Sequence, residues 1–271
     1  MTDMDMSRVA RHWGRDGLGQ AILDALGAAG RDLGALTIDD LAPTDQFHGG
    51  GKPATERLAI LAGLTAGWRV LDVGGGLGGP ARTLAASFGC DVTVLDLTES
   101  YVRAAAMLTE RLGLGDRVRH RLGNALELPF DDGAFDAVWT QNSGMNIADK
   151  ERLYAGFHRV LRPGGRLAIQ EPMAGPVAPP VFPLMWASGP EQSFLRTPSE
   201  MRLLILAAGF RLRAWDDVTD ETAGPGLDAV IPAHSIQRLV MGDGLDAIRR
   251  SGQQNRDERR VVSVQAVFDR P

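Results

Sequence analysis

The chain has 271 residues, a hydrophobic share of 44% and a formal net charge of −5, which is ordinary for a globular protein with a sizeable core. The acidic balance argues against a nucleic-acid groove, and the single cysteine, Cys90, excludes an intramolecular disulfide and a multi-cysteine zinc site. No apolar run approaches the roughly 18 residues of a membrane-spanning helix, and the acidic first five residues give no secretion signal, so we expect a cytoplasmic protein with neither a metal centre nor a membrane span.

The first fifty residues have helical character, with Ile22, Leu23 and Leu26 on one face of a segment near residues 9–29. A polar, glycine-rich loop over residues 45–55 leads into a helix predicted at 54–64. From position 68 onward strands and helices alternate, which indicates a parallel sheet. The predicted strands are residues 68–73, 92–97, 118–122, 135–140, 166–171, 210–216 and 261–268, and the predicted helices among them are 80–88, 101–112, 150–161 and 198–208.

Two stretches interrupt this alternation. Residues 172–196 hold six prolines, a density that resists regular structure, so we predict a packed loop or lid over the sheet edge. The second stretch covers residues 217–258, and its middle, 233–250, is predicted as one or two helices. The first stretch also carries Phe182, Trp186 and Phe194, with Met173 and Met185.

A glycine-rich turn follows the first predicted strand. Gly74, Gly76 and Gly79 fit the G-x-G-x-x-G spacing of a nucleotide-binding turn, in which the missing Cβ lets the backbone bend and approach a ligand. Asp96 ends the second strand, where a carboxylate can accept hydrogen bonds from ribose hydroxyls. An acid inside the first strand, Asp72, is unusual in a dinucleotide fingerprint, whose strand stays apolar up to the glycines.

Six stretches in register resemble the small-molecule branch of class I S-adenosylmethionine (SAM) methyltransferases, which includes ubiquinone/menaquinone, tocopherol and sarcosine/dimethylglycine methyltransferases. They are residues 70–79 (VLDVGGGLGG), 95–98 (LDLT), 123–125 (GNA), 128–130 with 135–136 (LPF and FD), 140–143 (TQNS) and 161–165 (LRPGG). The resemblance implies an α/β, Rossmann-like fold. Its seven-stranded, mostly parallel sheet would have helices on both faces and an antiparallel last strand, with insertions after strands 5 and 6.

On this pattern we expect a single methyltransferase domain over residues 1–271. Its parts would be an N-terminal helical cap or lid (1–53), a SAM-binding core (54–171), a lid insertion at the acceptor site (172–197) and the C-terminal part of the sheet with a helical insertion (198–271).

The resemblance also implies SAM as the cofactor and gives roles to individual residues. Gly74 and Gly76 would lie against the methionine part of SAM, and Asp72 would order that turn and face the amino group. Asp96 would hold the ribose, with Leu97 packed on the adenine.

At the adenine edge, Asn124 stands where the family usually has Asp. Its amide oxygen can still accept from the adenine amino group, and the Ala125 N–H would reach a ring nitrogen. Thr140 or Gln141 would lie near the methionine end of SAM.

Relatives commonly carry His where this chain has Asn142, a candidate acceptor contact. His48 is the best substitute as a base, because the pKa of a free histidine lies nearest neutrality. It lies in a loop, residues 45–51, that resembles one closing over SAM in the same branch, and the neighbouring Phe47 would cover the cofactor.

The expected reaction is in-line transfer of a methyl group from SAM to a nitrogen, oxygen or carbon atom of a small-molecule acceptor, with no nucleic-acid partner. One alternative keeps SAM bound in a non-methylating reaction such as cyclisation. Another, an NAD-dependent oxidoreductase using the same turn, is disfavoured by Asp72 and by residues 123–125. The N-terminal helices could serve a lid or a homodimer.

Overall fold

The structure is a computed structural model that describes residues 13–224 and 226–271. Its centre is a seven-stranded sheet. The strands are β1 (Arg69–Val73), β2 (Asp91–Asp96), β3 (Val118–Leu122), β4 (Phe135–Gln141), β5 (Leu161–Ala174), β6 (Arg211–Asp217) and β7 (Val261–Asp269).

The strand order is β3-β2-β1-β4-β5-β7-β6. Strand β7 pairs antiparallel with both β5 and β6, whereas the pairs among β1 to β5 are parallel. This confirms the predicted Rossmann-like sheet with an antiparallel last strand. The carboxyl ends of β1 to β5 therefore meet at one edge, where ligands bind in such sheets.

Helices cover both faces of the sheet. One face buries apolar side chains of β1, β4 and β5 against α6 (Lys150–Val160) and α7 (Pro198–Ala207). The other face buries β1, β2 and β4 against α3 (Gly51–Ala62) and α4 (Gly79–Phe88). Alternate residues of each strand supply the two cores, because successive side chains point to opposite faces.

A third apolar cluster joins the N-terminal helices to the second insertion. It packs α1 (Leu18–Ala28) and α2 (Ile38–Asp45) against α5 (Glu99–Arg111) and the insertion helix α8 (Ile236–Met241). The helix α9 (Leu245–Asp257) follows α8 in the same insertion.

The observed elements differ from the predicted ones in several places. The helix α1 begins at Leu18, and residues 9–12 of the segment predicted at 9–29 lie outside the described part of the chain. Helix α2 was not predicted, since it is short and contains Pro43; a reciprocal capping box between Thr37 and Asp40 starts it. Strand β5 begins at Leu161, before the predicted position 166.

Within the described ranges, no helix combines the length and the apolar character that crossing a membrane requires. The division of the domain into four functional parts stays a prediction.

Candidate active site

The turn after β1 forms the floor of a cavity at the carboxyl edge of the sheet, which we call the donor cavity. Gly74 and Gly76 have φ values of 71° and 53°, in the left-handed region that glycine reaches at little cost. A Cβ on Gly74 would lie 2.3 Å from the Cβ of Ser143. Backbone conformation and space therefore both require glycine at position 74.

Asp72 lies on β1 just before this turn, lines the donor cavity and is 1% exposed. Its Oδ2 has no hydrogen-bond partner among the residues that the structure describes. Burial, and then the nearby charge of Asp96, raise the pKa of Asp72 to about 8. Because an unpaired buried carboxylate oxygen is costly, a ligand that brings a cation or an N–H group would complete the site.

Asp96 ends β2 at the same cavity. Its Oδ2 accepts from the Gly76 N–H at 2.9 Å, and its Oδ1 accepts from the Thr98 N–H at 2.8 Å. Burial nevertheless raises its pKa, against the lowering effect of these bonds. The carboxylate is thus fixed at the cavity, and each oxygen keeps further acceptor capacity for a ligand hydroxyl.

The turns after β2 and β3 supply the next part of the wall. Leu97, Asn124 and Ala125 all line the donor cavity. The Asn124 Oδ1 accepts from the Leu126 N–H at 2.9 Å. This bond orients the amide at the cavity wall.

Of the two residues predicted near the methionine end, Gln141 lines the donor cavity and Thr140 does not. The Thr140 hydroxyl lies 2.6 Å from the Ser143 Oγ and donates to Glu171 Oε1 at 3.1 Å. Thr140 therefore supports the cavity wall from behind.

Glu171 and Lys150 are buried charges that the sequence did not reveal as part of the site. Glu171 Oε1 accepts from the N–H of Gly144 at 3.0 Å, and the Lys150 ammonium donates to the carbonyl oxygens of Gly144 and Ile147. Burial raises the pKa of Glu171 and lowers that of Lys150 to about 8. Together they fix the turn over residues 143–147, part of which lines the donor cavity.

A ladder of three buried glutamines holds the loop over residues 45–51 on the sheet. Gln141, Gln170 and Gln265 face one another across β4, β5 and β7. Gln170 Oε1 accepts from Gln141 Nε2 at 3.0 Å and from Gln265 Nε2 at 2.8 Å. Gln170 Nε2 then donates to the Gly49 carbonyl oxygen at 2.8 Å, which fixes the loop that carries Phe47 and His48.

His48 is 8% exposed, and both its ring nitrogens are engaged. Nδ1 lies 3.1 Å from the Gly49 carbonyl oxygen, and Nε2 lies 3.0 Å from Gln46 Oε1 and 3.1 Å from Thr55 Oγ1. Burial lowers the pKa of His48 to about 4, despite the opposing bond to Gly49. These contacts do not favour proton abstraction, because the ring is a weak base whose nitrogens already have partners.

Asn142 follows β4 with a φ of 54°, a left-handed conformation that Asn tolerates better than most residues. Its N–H donates to the Gln170 carbonyl oxygen at 2.8 Å. Its buried Oδ1 has no partner within residues 13–224 and 226–271. Backbone strain at an unpaired polar group is a pattern typical of functional sites.

A second cavity of about 730 Å³ adjoins the donor cavity. Four residues line both: Trp13, Phe47, His48 and Asn142. The predicted catalytic candidates thus lie where the two cavities meet.

The first insertion forms one wall of the second cavity through Leu184, Met185 and Trp186. It is pinned to α9 by Asn255, which accepts from the Val181 N–H at 2.8 Å and donates to the Val181 carbonyl oxygen at 2.7 Å. Of the other aromatic and Met residues between positions 172 and 196, Met173 is buried in the core, and Phe182 packs against the apolar cluster that contains Trp186.

Several residues that line the donor cavity were not predicted from the sequence. Trp13 packs edge-on against Phe47 at 5.3 Å between ring centroids. Tyr101 lines the donor cavity, and its buried hydroxyl finds no partner in the described part of the protein. Asp45 lines the cavity and pairs with the fully buried Arg82 at 2.8 Å. The only available signal was that Asp45 and Tyr101 flank the recognised motifs.

The donor cavity fits SAM. Asp72 offers an unpaired carboxylate oxygen to the cationic methionine end, and Gly74 lies in the turn at a position where Ser143 leaves no room for a Cβ. Asp96 offers oxygen acceptors to ribose hydroxyls, and Leu97 offers an apolar surface.

Comparisons with known proteins agree with this fit. The family model described as a methyltransferase domain matches residues 71–169. Methyltransferase GfsG from Streptomyces halstedii is 31% identical over 212 residues, which cover 75% of this chain and 74% of that protein. Seven further relatives match over 37% to 49% of this chain, and the match spans only 23% to 42% of their own lengths. They include a protein named probable tocopherol O-methyltransferase from Oryza sativa, 39% identical, and sarcosine/dimethylglycine N-methyltransferase from Halorhodospira halochloris, 40% identical.

Solved structures share the fold. Geranyl diphosphate C-methyltransferase from Streptomyces coelicolor superposes with a TM-score of 0.72 at 21% identity over 98% of both chains. The [4+2]-cyclase SpnF superposes with a TM-score of 0.68 at 21% identity, over 94% of this chain and 93% of SpnF. At these identities the structures establish the fold alone. With the relatives and the site taken together, the chain belongs to the class I SAM-dependent methyltransferases of small-molecule type.

Proposed function

We propose that the protein methylates a drug-sized, largely apolar acceptor held in the second cavity. The observation that carries this proposal is the wall of Trp13, Phe47, His48 and Asn142 that the two cavities share. A cavity of about 730 Å³ lies within the range of drug-sized ligand sites. An acceptor there would meet the donor cavity at this shared wall.

In this proposal Asp96 accepts hydrogen bonds from the ribose, and Leu97 packs on the adenine. Asn124 and Ala125 contact the adenine edge. The burial and fixed orientation of these groups support the assignment, because a preorganised site loses little entropy on binding.

At the other end of the donor cavity, Asp72 pairs with the amino group of SAM, and Gly74 and Gly76 bring the backbone against the methionine part. Gln141 and Phe47 enclose it. Thr140 acts only through Ser143 and Glu171 in this proposal.

SAM supplies a methyl group already activated on a sulfonium. The protein then has to align the acceptor and exclude water. The rings of Trp13 and Phe47 exclude water at the shared wall, and Asn142 Oδ1 accepts from the N–H or O–H group of the nucleophile. His48 takes a structural place in this wall, since its low pKa and engaged nitrogens do not suit a general base.

The cyclisation alternative draws on the likeness to SpnF, which concerns the fold. Methyl transfer has the stronger support, because the relative matched over most of its length is a methyltransferase. The two reactions differ in one product, since only methyl transfer releases S-adenosylhomocysteine.

The test has two stages. Calorimetry with SAM and S-adenosylhomocysteine comes first, with Asp96→Ala as the variant expected to abolish binding. Hydroxylated apolar compounds are then screened for S-adenosylhomocysteine release and a mass increase of one methylene group. A protein that binds neither ligand would overturn the proposal, and conversion of an acceptor without S-adenosylhomocysteine release would favour cyclisation. Whether the N-terminal helices serve a lid or a homodimer is a separate question for sedimentation analysis.

A further inference from the structure

The helix α9 brings polar groups to the second cavity that methyl transfer does not use. Arg249, Gly252 and Gln253 line this cavity and not the donor cavity. The Arg249 Nη2 donates to the carbonyl oxygens of Gly226, Leu227 and Ala229 at 2.6, 3.1 and 2.9 Å. These three bonds hold the guanidinium in one place.

Two buried atoms on this wall have no hydrogen-bond partner among the residues of known placement, 13–224 and 226–271. Neither Arg249 Nε nor Gln253 Oε1 has a hydrogen-bond partner anywhere in the described ranges. The two residues are four positions apart on one helix, so their side chains are neighbours on one face. Arg249 Nε–H can only donate and Gln253 Oε1 can only accept, so a group that both accepts and donates would satisfy the pair.

Gly252 lies beside this pair in the middle of α9. Glycine inside a helix costs roughly 0.5–1 kcal/mol relative to alanine. A Cβ at Gly252 would meet nothing within 4 Å, so neighbouring protein atoms do not require glycine here. The space beside Arg249 and Gln253 is therefore available to a ligand.

We infer that α9 binds a hydroxyl group of the methyl acceptor between Arg249 Nε and Gln253 Oε1, and that Gly252 keeps the space for it. The acceptor is then a neutral, hydroxylated and otherwise largely apolar molecule. A carboxylate would satisfy Arg249 but has no hydrogen to donate to Gln253. This inference rests on the proposed function, because it takes the second cavity as the acceptor site.

The test uses Nile red as a fluorescent occupant of the second cavity, in protein saturated with S-adenosylhomocysteine. Three competitors share one alkyl chain: 1-decanol, decyl methyl ether and decanoate. The hydroxyl of 1-decanol both donates and accepts, so 1-decanol should displace the dye at concentrations about fivefold lower than the ether does, the effect of one net hydrogen bond. Decanoate should be weaker than 1-decanol.

The variants separate the two contacts. Gln253→Leu should bring 1-decanol and the ether within about twofold of each other, because only the hydroxyl donates to Gln253. Arg249→Met should weaken the binding of 1-decanol and of the ether by about fivefold each, because both molecules accept a hydrogen bond from Arg249. Gly252→Leu should exclude Nile red from the second cavity, whereas the control Gly244→Leu should not. Gly244 is the N-cap residue of α9; its surroundings are equally open, but it does not line the cavity.

S-adenosylhomocysteine affinity should be unchanged in all four variants, which shows that they fold. Equal displacement by 1-decanol and the ether in the unmodified protein would overturn the inference, as would tightest binding of decanoate. Binding of S-adenosylhomocysteine without any binding of Nile red would also overturn it. A protein that binds no S-adenosylhomocysteine would instead refute the proposed function itself.

Discussion

Binding of the cofactor should release a proton from Asp72. Its pKa of about 8 in the free protein means that it is roughly nine-tenths protonated at pH 7. A cationic amino group beside the orphan Oδ2 favours the ionised form, so binding should release about 0.9 proton at pH 7. Affinity should then fall roughly ninefold from pH 7 to pH 6.

The raised pKa of Asp72 also determines how the stability of the folded protein changes with pH. Because the folded pKa of Asp72 lies above the value of 3.8 for an unperturbed Asp, protonated Asp72 stabilises the ligand-free protein at acidic pH. That contribution is lost as the pH rises toward 8. Cofactor binding should therefore raise the thermal stability more at pH 7 than at pH 6.

Calorimetry with S-adenosylhomocysteine, in buffers of different ionisation enthalpy at pH 6 and 7, measures the proton release. Over this range the α-amino group of the ligand stays mostly protonated. Asp72→Asn should abolish the release and weaken binding by at least about tenfold, the loss of a charged hydrogen bond. Asp91→Asn, at the start of β2 and outside the donor cavity, is the control. If the unmodified protein releases no proton on binding, and its affinity is the same at pH 6 and pH 7, the proposed role of Asp72 is refuted.

Three further outcomes are expected. Nuclear magnetic resonance should find the His48 ring neutral from pH 8 down to about 5, since its pKa is lowered to about 4. The neutral ring therefore stabilises the fold fully above pH 6.5, and this contribution is lost as the pH falls through 4. A titration midpoint of His48 near pH 6.5 would contradict the argument that burial lowers its pKa. Gln170→Leu should lower the free energy of unfolding in denaturant by about 1–3 kcal/mol, because the buried partners Gly49, Gln141 and Gln265 lose bonds; an unchanged midpoint would show that the ladder does not hold the loop. Gly74→Ala should abolish S-adenosylhomocysteine binding, because a Cβ there clashes with Ser143 and the residue has a positive φ. Unchanged affinity in that variant would mean that the turn can bind the ligand in a different backbone conformation.

Much of the fold could be predicted because its signals are local. The strand β3 has the predicted bounds, and β1 and β4 differ by a single residue at one end. Apolar runs bounded by Gly, Pro and Asp mark such strands without knowledge of their neighbours. The donor cavity could be predicted from the same strands, since the glycine turn and Asp96 lie at the ends of adjacent parallel strands.

The features of the site that could not be predicted depend on strand register and on burial, which the sequence does not display. Gln141, Gln170 and Gln265 form a ladder only because β4, β5 and β7 pair in one register. Thr140 and Gln141 looked equivalent in sequence, but the Thr140 hydroxyl contacts Ser143 and Glu171 behind the wall, and only Gln141 lines the cavity. The pKa of His48 depends on the burial of its ring.

A crystal structure of the protein with S-adenosylhomocysteine would test the arrangement of the two cavities most directly. We expect the ribose on Asp96, the adenine against Leu97 and residues 123–125, and the sulfur directed at the wall formed by Phe47, His48 and Asn142. A sulfur atom that faces away from the second cavity, or a ligand bound outside the donor cavity, would contradict the claim that the methyl group passes between the two cavities.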